Sequence, residues 1–133
     1  MLNLRHIITF CLAAALLITM PLAFSINNEV FIKFKTAKLS KGRALWIENC
    51  KGCHAYGTAS APIPMIPEEW SDRVTKSKAI LYDHAINGFF GKDDTMMPER
   101  GGNPELTDEQ VKLAVDYMVS LATYYINAKH SQP

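Results

Sequence analysis

Apolar and polar positions alternate with helical spacing over four stretches of the chain. Ser40 offers an N-cap to a helix running to about Asn49, with Leu45 and Trp46 among its apolar positions. A second helix is expected over Glu69 to Val74, and a third over Ser77 to Asn87. In the third, Ile80, Leu81, His84 and Ala85 recur at helical intervals, and Gly88 supplies a stop. The last pattern is the longest. Thr107 and Gln110 form a capping box, Leu106 can staple onto Val111, and Val111, Ala114, Val115, Met118, Leu121 and Ala122 make one apolar stripe. Between these patterns lie turn-forming segments, "GTASAPIPMIP" at 57–67 and "GKDDTMMPERGGNP" at 91–104. Val30 to Phe34 is apolar but too isolated to pair into a sheet, and no internal repeat is visible. The pattern predicts a small all-α domain in which two long loops occupy much of the chain. A core that small is usually completed by a bound group.

The N-terminus follows a different pattern. Arg5 is followed by an uncharged stretch from Ile7 to Asn28, apolar enough for a targeting signal and close to the length that spans a bilayer. Residues 1–25 are expected to be a signal peptide, with Ala23-Phe24-Ser25 as the cleavage site, or an uncleaved N-terminal anchor. Residues 26–37 follow as a linker, 38–126 as the domain, and 127–133 as a tail that includes His130. Either reading of the leader places the domain outside the cytoplasm, soluble in a bacterial periplasm or held at the inner membrane facing it. Arg5 is the single member of the 14 Lys and Arg within the leader, so the remaining chain balances its 13 Asp and Glu and no nucleic-acid partner is expected. Charge is uneven, however. Lys33, Lys35, Lys38, Lys41, Arg43 and Lys51 precede the acids from Asp93 to Asp116, an arrangement that suits either two solvated faces or a docking surface.

The candidate chemistry lies in "CKGCH" at 50–54. With three Cys and four His in the chain, C-x-x-C-H arises by chance about 0.002 times, and it reads as a c-type haem attachment. Two thiols three positions apart can add to two vinyl groups on one porphyrin edge, and the adjacent His54 then lies beneath the ring with a nitrogen directed at iron. Zinc would need further ligands, and no second cysteine pair follows Cys50 and Cys53. A dithiol of the thioredoxin kind would need a βαβ setting. A plain disulfide would not require His54. A thioether is a common second ligand of haem iron in electron carriers, and Met65, Met96, Met97 and Met118 are available. Met118 belongs to the apolar stripe and Met65 follows the attachment site closely, which leaves Met96 or Met97 in the long loop.

Four blocks in order, "CKGCH", "ASAP", "LYDHAINGF" and "MPERGGNPELTDEQVKLAVDYM", resemble class I c-type cytochromes, most closely the cytochrome c-five type of short bacterial electron carriers. The resemblance covers about residues 38–122. It implies a small class I cytochrome c fold, three to four helices and long loops around one haem c bound covalently through Cys50 and Cys53, with His54 and Met97 on the iron. It implies Pro62 as the carbonyl acceptor for His54, and a crossing of first and last helices near Gly42, Trp46 and Tyr117. The additional cysteine pair of many members is absent here. Trp70 and Arg100 are candidates to meet the haem propionates; packing and an exposed loop charge are their plainer roles. His84 reads as a partly exposed helix residue. The expected function is that of a monomeric one-electron carrier between redox proteins of a respiratory chain, without enzymatic activity. A tethered haem subunit of a respiratory or sulfur-oxidising complex, and a five-coordinate haem sensor or peroxidase, are the alternatives.

Overall fold

The computed structural model describes residues 31–92 and 94–131. The leader, Cys11 and residues 26–30 of the expected linker lie outside the described residues. Helix α1 spans Ala37–Asn49. It starts a turn earlier than Ser40, because Thr36 is itself a capping residue and its hydroxyl accepts from the Leu39 N–H, while Ala37, Lys38 and Leu39 are good helix formers. After Cys50, whose N–H still bonds to the Trp46 carbonyl at 2.9 Å, the single-turn α2 covers Lys51–His54. Helix α3 is also a single turn, Pro67–Trp70, with proline at its first position and Glu68 and Glu69 in the favourable first turn. The helix expected over 69–74 is thus displaced toward the proline, and turns follow it. Helix α4 covers Lys78–Asn87, capped by Ser77 and ended by Gly88 at φ 83°. The long α5, Asp108–His130, opens on the expected capping box of Thr107 and Gln110.

Three expectations are corrected. The chain from 127 is helical to His130 rather than a tail. A short antiparallel pair exists where no strand was expected: β1, Phe89–Phe90, pairs with β2, Met96–Met97, in the register Phe89 to Met97 and Phe90 to Met96. Two-residue strands are too short for any alternation signal. The third correction concerns the presumed linker, which contributes to the core. Phe31 is buried with its ring 5.0 Å from Trp46, and its carbonyl accepts from Arg43 Nε at 3.1 Å.

The core is built where α1 crosses α5. A Cβ on Gly42 would lie 2.2 Å from the Leu113 carbonyl oxygen, so only glycine permits this approach. Next to it, Trp46 and Tyr117 are fully buried with ring centroids 5.6 Å apart, and the Tyr117 hydroxyl donates to the Ile32 carbonyl. A smaller cluster of Ala85, Leu106, Val111 and Val115 joins α4 to α5. Asp116 ties three helices together. Only 3% exposed, it receives Lys38 from α1 at 2.5 Å and, from α4, Lys78 and the Tyr82 hydroxyl, both at 2.7 Å.

Candidate functional site

A cavity of about 520 Å³ opens between these helices. One wall comes from Cys50, Cys53, His54 and the loop through Pro62; another comes from α4 and the β1–β2 hairpin; Val115 and Met118 of α5 form part of its floor. Cys50, Cys53, His54, Pro62, Trp70 and Met97 all line it, so the fold gathers six of the seven residues singled out from sequence.

His54 is buried, and its Nδ1 lies 2.9 Å from the Pro62 carbonyl oxygen. A carbonyl can only accept, so Nδ1 carries the hydrogen and Nε2 keeps its lone pair. Burial lowers the pKa of His54; the bond to Pro62 opposes this and the nearby Arg73 charge adds to it. The imidazole is therefore held neutral, in one tautomer, with one nitrogen free to bind a metal. Burial, with a contribution from Cys53, pushes the Cys50 thiol up to about 12. This is the opposite of what a redox-active thiolate requires. Among the described residues no group of three or more His, Cys, Asp or Glu could hold a metal ion by itself. The cysteines thus fit neither a dithiol catalyst nor a zinc site.

Met97 is tied at both ends. In the hairpin it lies opposite Phe89, and a Cβ on Gly88 would come within 3.1 Å of its carbonyl oxygen. Beyond it, Asn103 Nδ2 donates to Asn49 Oδ1 at 2.8 Å, strapping the loop to the end of α1 beside Cys50. Met97 is half-buried and packs on the Ala85, Leu106, Val111 and Val115 cluster, whereas Met96 is 54% exposed. Neighbouring residues of a strand point to opposite faces, which accounts for the difference in burial, although both methionines border the cavity.

Two expectations about charge change. Arg100 does not line the cavity: its guanidinium donates to the Leu106 carbonyl and pairs with Asp108 at 2.7 Å, pinning the loop to the start of α5. Its left-handed backbone, φ 51°, directs it there. None of the cations from Lys33 to Lys51 lines the cavity either, and Lys38 is engaged with Asp116. The cations that do line it are Arg73, Lys76 and Lys92; among the described residues no Asp or Glu does. Trp70, the last residue of α3, and Arg73 and Lys76, on the turns that follow, recur every third residue. Trp70 is 3% exposed, and its buried Nε1 has no hydrogen-bond partner among the described residues. A buried indole N–H without an acceptor beside two cations is a cradle for an anionic group. The donor set therefore fits a flat apolar ring with an anionic edge and a metal at its centre.

Comparison with known proteins agrees with this chemistry. Residues 37–118 match the family model described as cytochrome c oxidase, cbb3-type, subunit III. Cytochrome c-555 of Prosthecochloris aestuarii is 38% identical over 85 residues, covering 62% of this chain and 86% of that protein. Cytochrome c-555 of Chlorobaculum thiosulfatiphilum is also 38% identical, over 78 residues, covering 59% and 90%.

Proposed function

The chain belongs to the class I c-type cytochromes, electron-transfer proteins with covalently bound haem c, and from that premise we propose that it shuttles single electrons between protein partners outside the cytoplasm, with His54 and Met97 on the iron. The observation that carries this reading is the neutral His54, fixed by Pro62 on one wall of a cavity whose other wall presents the tethered Met97. When bound, haem iron supplies a one-electron couple. The chain supplies the rest. With haem bound, Cys50 and Cys53 would hold the ring edge, His54 Nε2 and Met97 Sδ would ligate the iron, and Trp70 Nε1 with Arg73 and Lys76 would meet its anionic groups in place of Arg100. Leu81, Ala85, Val115 and Met118 keep water from the ring faces. With His54 and Met97 both on the iron, no coordination site would be open to a substrate, which suits a carrier rather than an enzyme.

Replacing each methionine tests the assignment. Met97→Ala should abolish the methionine-to-ferric-iron charge-transfer band and lower the reduction potential; Met96→Ala should leave both in place. The opposite pattern would move the ligand by one residue.

The description of the matching family model favours a second reading, a haem subunit tethered to a membrane-bound respiratory assembly. No helix among the described residues is long and apolar enough to cross a membrane, so the tether would be residues 1–25. N-terminal sequencing of the native protein separates the two readings: a start near Ile26 supports the free periplasmic carrier, and an intact leader supports the subunit.

A further inference from the structure

His84 reaches the cavity from the wall that carries Met97, and the carrier mechanism gives it no task. Its ring stacks on Phe89, with centroids 4.1 Å apart and planes within 22°. Phe89 is the residue directly opposite Met97 in the hairpin. Side chains of directly opposed residues in an antiparallel pair lie on one face, so the His84 imidazole, the Phe89 ring and the Met97 thioether share a surface, and all three line the cavity. Among the described residues neither ring nitrogen of His84 has a hydrogen bond. Lys76 and Lys92 also line the cavity, but the imidazole of His84 is the nitrogen donor stacked on the residue that lies opposite Met97.

We propose that His84 is a reserve ligand of the haem iron, taking the position of Met97 when the sulfur–iron bond opens in the ferric state. The proposal rests on the assignment of His54 and Met97 above. In the exchange one iron–sulfur bond breaks and one iron–nitrogen bond forms from the lone pair of the neutral imidazole; no electron or proton is transferred. Ferric iron, the harder acid, favours imidazole over thioether, and reduction shifts the preference back toward sulfur. His84 on α4 stacks on the hairpin residue opposite Met97 and lines the same cavity, so the exchange is between neighbouring side chains of one wall. Its consequence is protective: a cytochrome that has lost its methionine bond stays six-coordinate, closed to oxygen and peroxide, at a lower potential.

The test uses ferric holoprotein, followed by electron paramagnetic resonance and optical spectra. Met97→Ala should lack the methionine band and yet remain low-spin, with the signature of two imidazoles. Adding His84→Leu, or His84→Gln as a second replacement, should convert it to high-spin, raise its affinity for carbon monoxide in the ferrous form at least tenfold, and make it responsive to added imidazole, which restores the low-spin signal. A Met97→Ala protein that is already high-spin overturns the proposal, as does a double variant that stays low-spin. Retention of the methionine band in Met97→Ala removes the assignment of Met97 itself, and the reserve ligand falls with it; that outcome is distinct from the first two because the band is lost in both.

Discussion

Asp116→Asn isolates the electrostatic junction of the fold. Burial alone would raise the pKa of this carboxyl, but the bonds from Lys38, Lys78 and Tyr82 together outweigh it and bring it from 3.8 down to about 2. At about 1.4 kcal/mol per unit, this corresponds to roughly 2 kcal/mol of stability. Both lysine side chains are more than half exposed, at 62% and 58%, and screening there reduces the figure to about 1–2 kcal/mol. Asparagine keeps an acceptor for Tyr82 and releases the lysines to solvent, so the larger cost of a stranded buried charge is avoided. Because the folded pKa lies below the unfolded one, the stabilisation is complete above about pH 4 and disappears as pH falls toward 2. Thermal unfolding of the holoprotein should therefore show the variant about 5–15 °C below the parent at pH 7, with the gap closing between pH 4 and pH 2. Equal stability at pH 7, or a gap unchanged at pH 2, would refute the reasoning.

Gly42→Ala places a methyl group 2.2 Å from the Leu113 carbonyl and 3.1 Å from Tyr117 Cβ; it should cost about 1–3 kcal/mol by overpacking, read as a lower midpoint in denaturant. Electron transfer to an acidic partner should slow as salt rises and the Debye length falls to about 10 Å at 0.1 M. Lys76→Glu and Lys92→Glu should weaken that dependence and Lys33→Glu should not, since Lys76 and Lys92 border the cavity and Lys33 does not.

The helices, the attachment motif and the methionine loop were legible because each has a local signature: apolar periodicity for α4 and α5, a capping box at Thr107 and Gln110, a contiguous C-x-x-C-H, and a proline after Met97. What was not legible depends on tertiary packing. Phe31 belongs to the core only because Trp46 packs edge-on against it, and nothing in its neighbours in sequence announces that. Arg100 lies only three residues after Met97 in the same loop, yet it is turned to Asp108, and a residue's direction is not written in its position. Arg73 and Lys76 escaped notice for the converse reason, since an exposed turn after a one-turn helix carries no pattern until Trp70 shows which side is inward. The β1–β2 pair is held by two residues on each side, below the length at which periodicity distinguishes strand from loop.

An optical redox titration of the purified holoprotein, repeated under carbon monoxide, tests the one-electron carrier most directly. The structure predicts a single reversible one-electron step, a methionine-to-iron charge-transfer band in the ferric form, and a ferrous spectrum that carbon monoxide leaves unchanged. Absence of that band, together with a ferrous spectrum that shifts under carbon monoxide, would mean an open iron site and would contradict the assignment of this protein as a closed, His54- and Met97-ligated carrier.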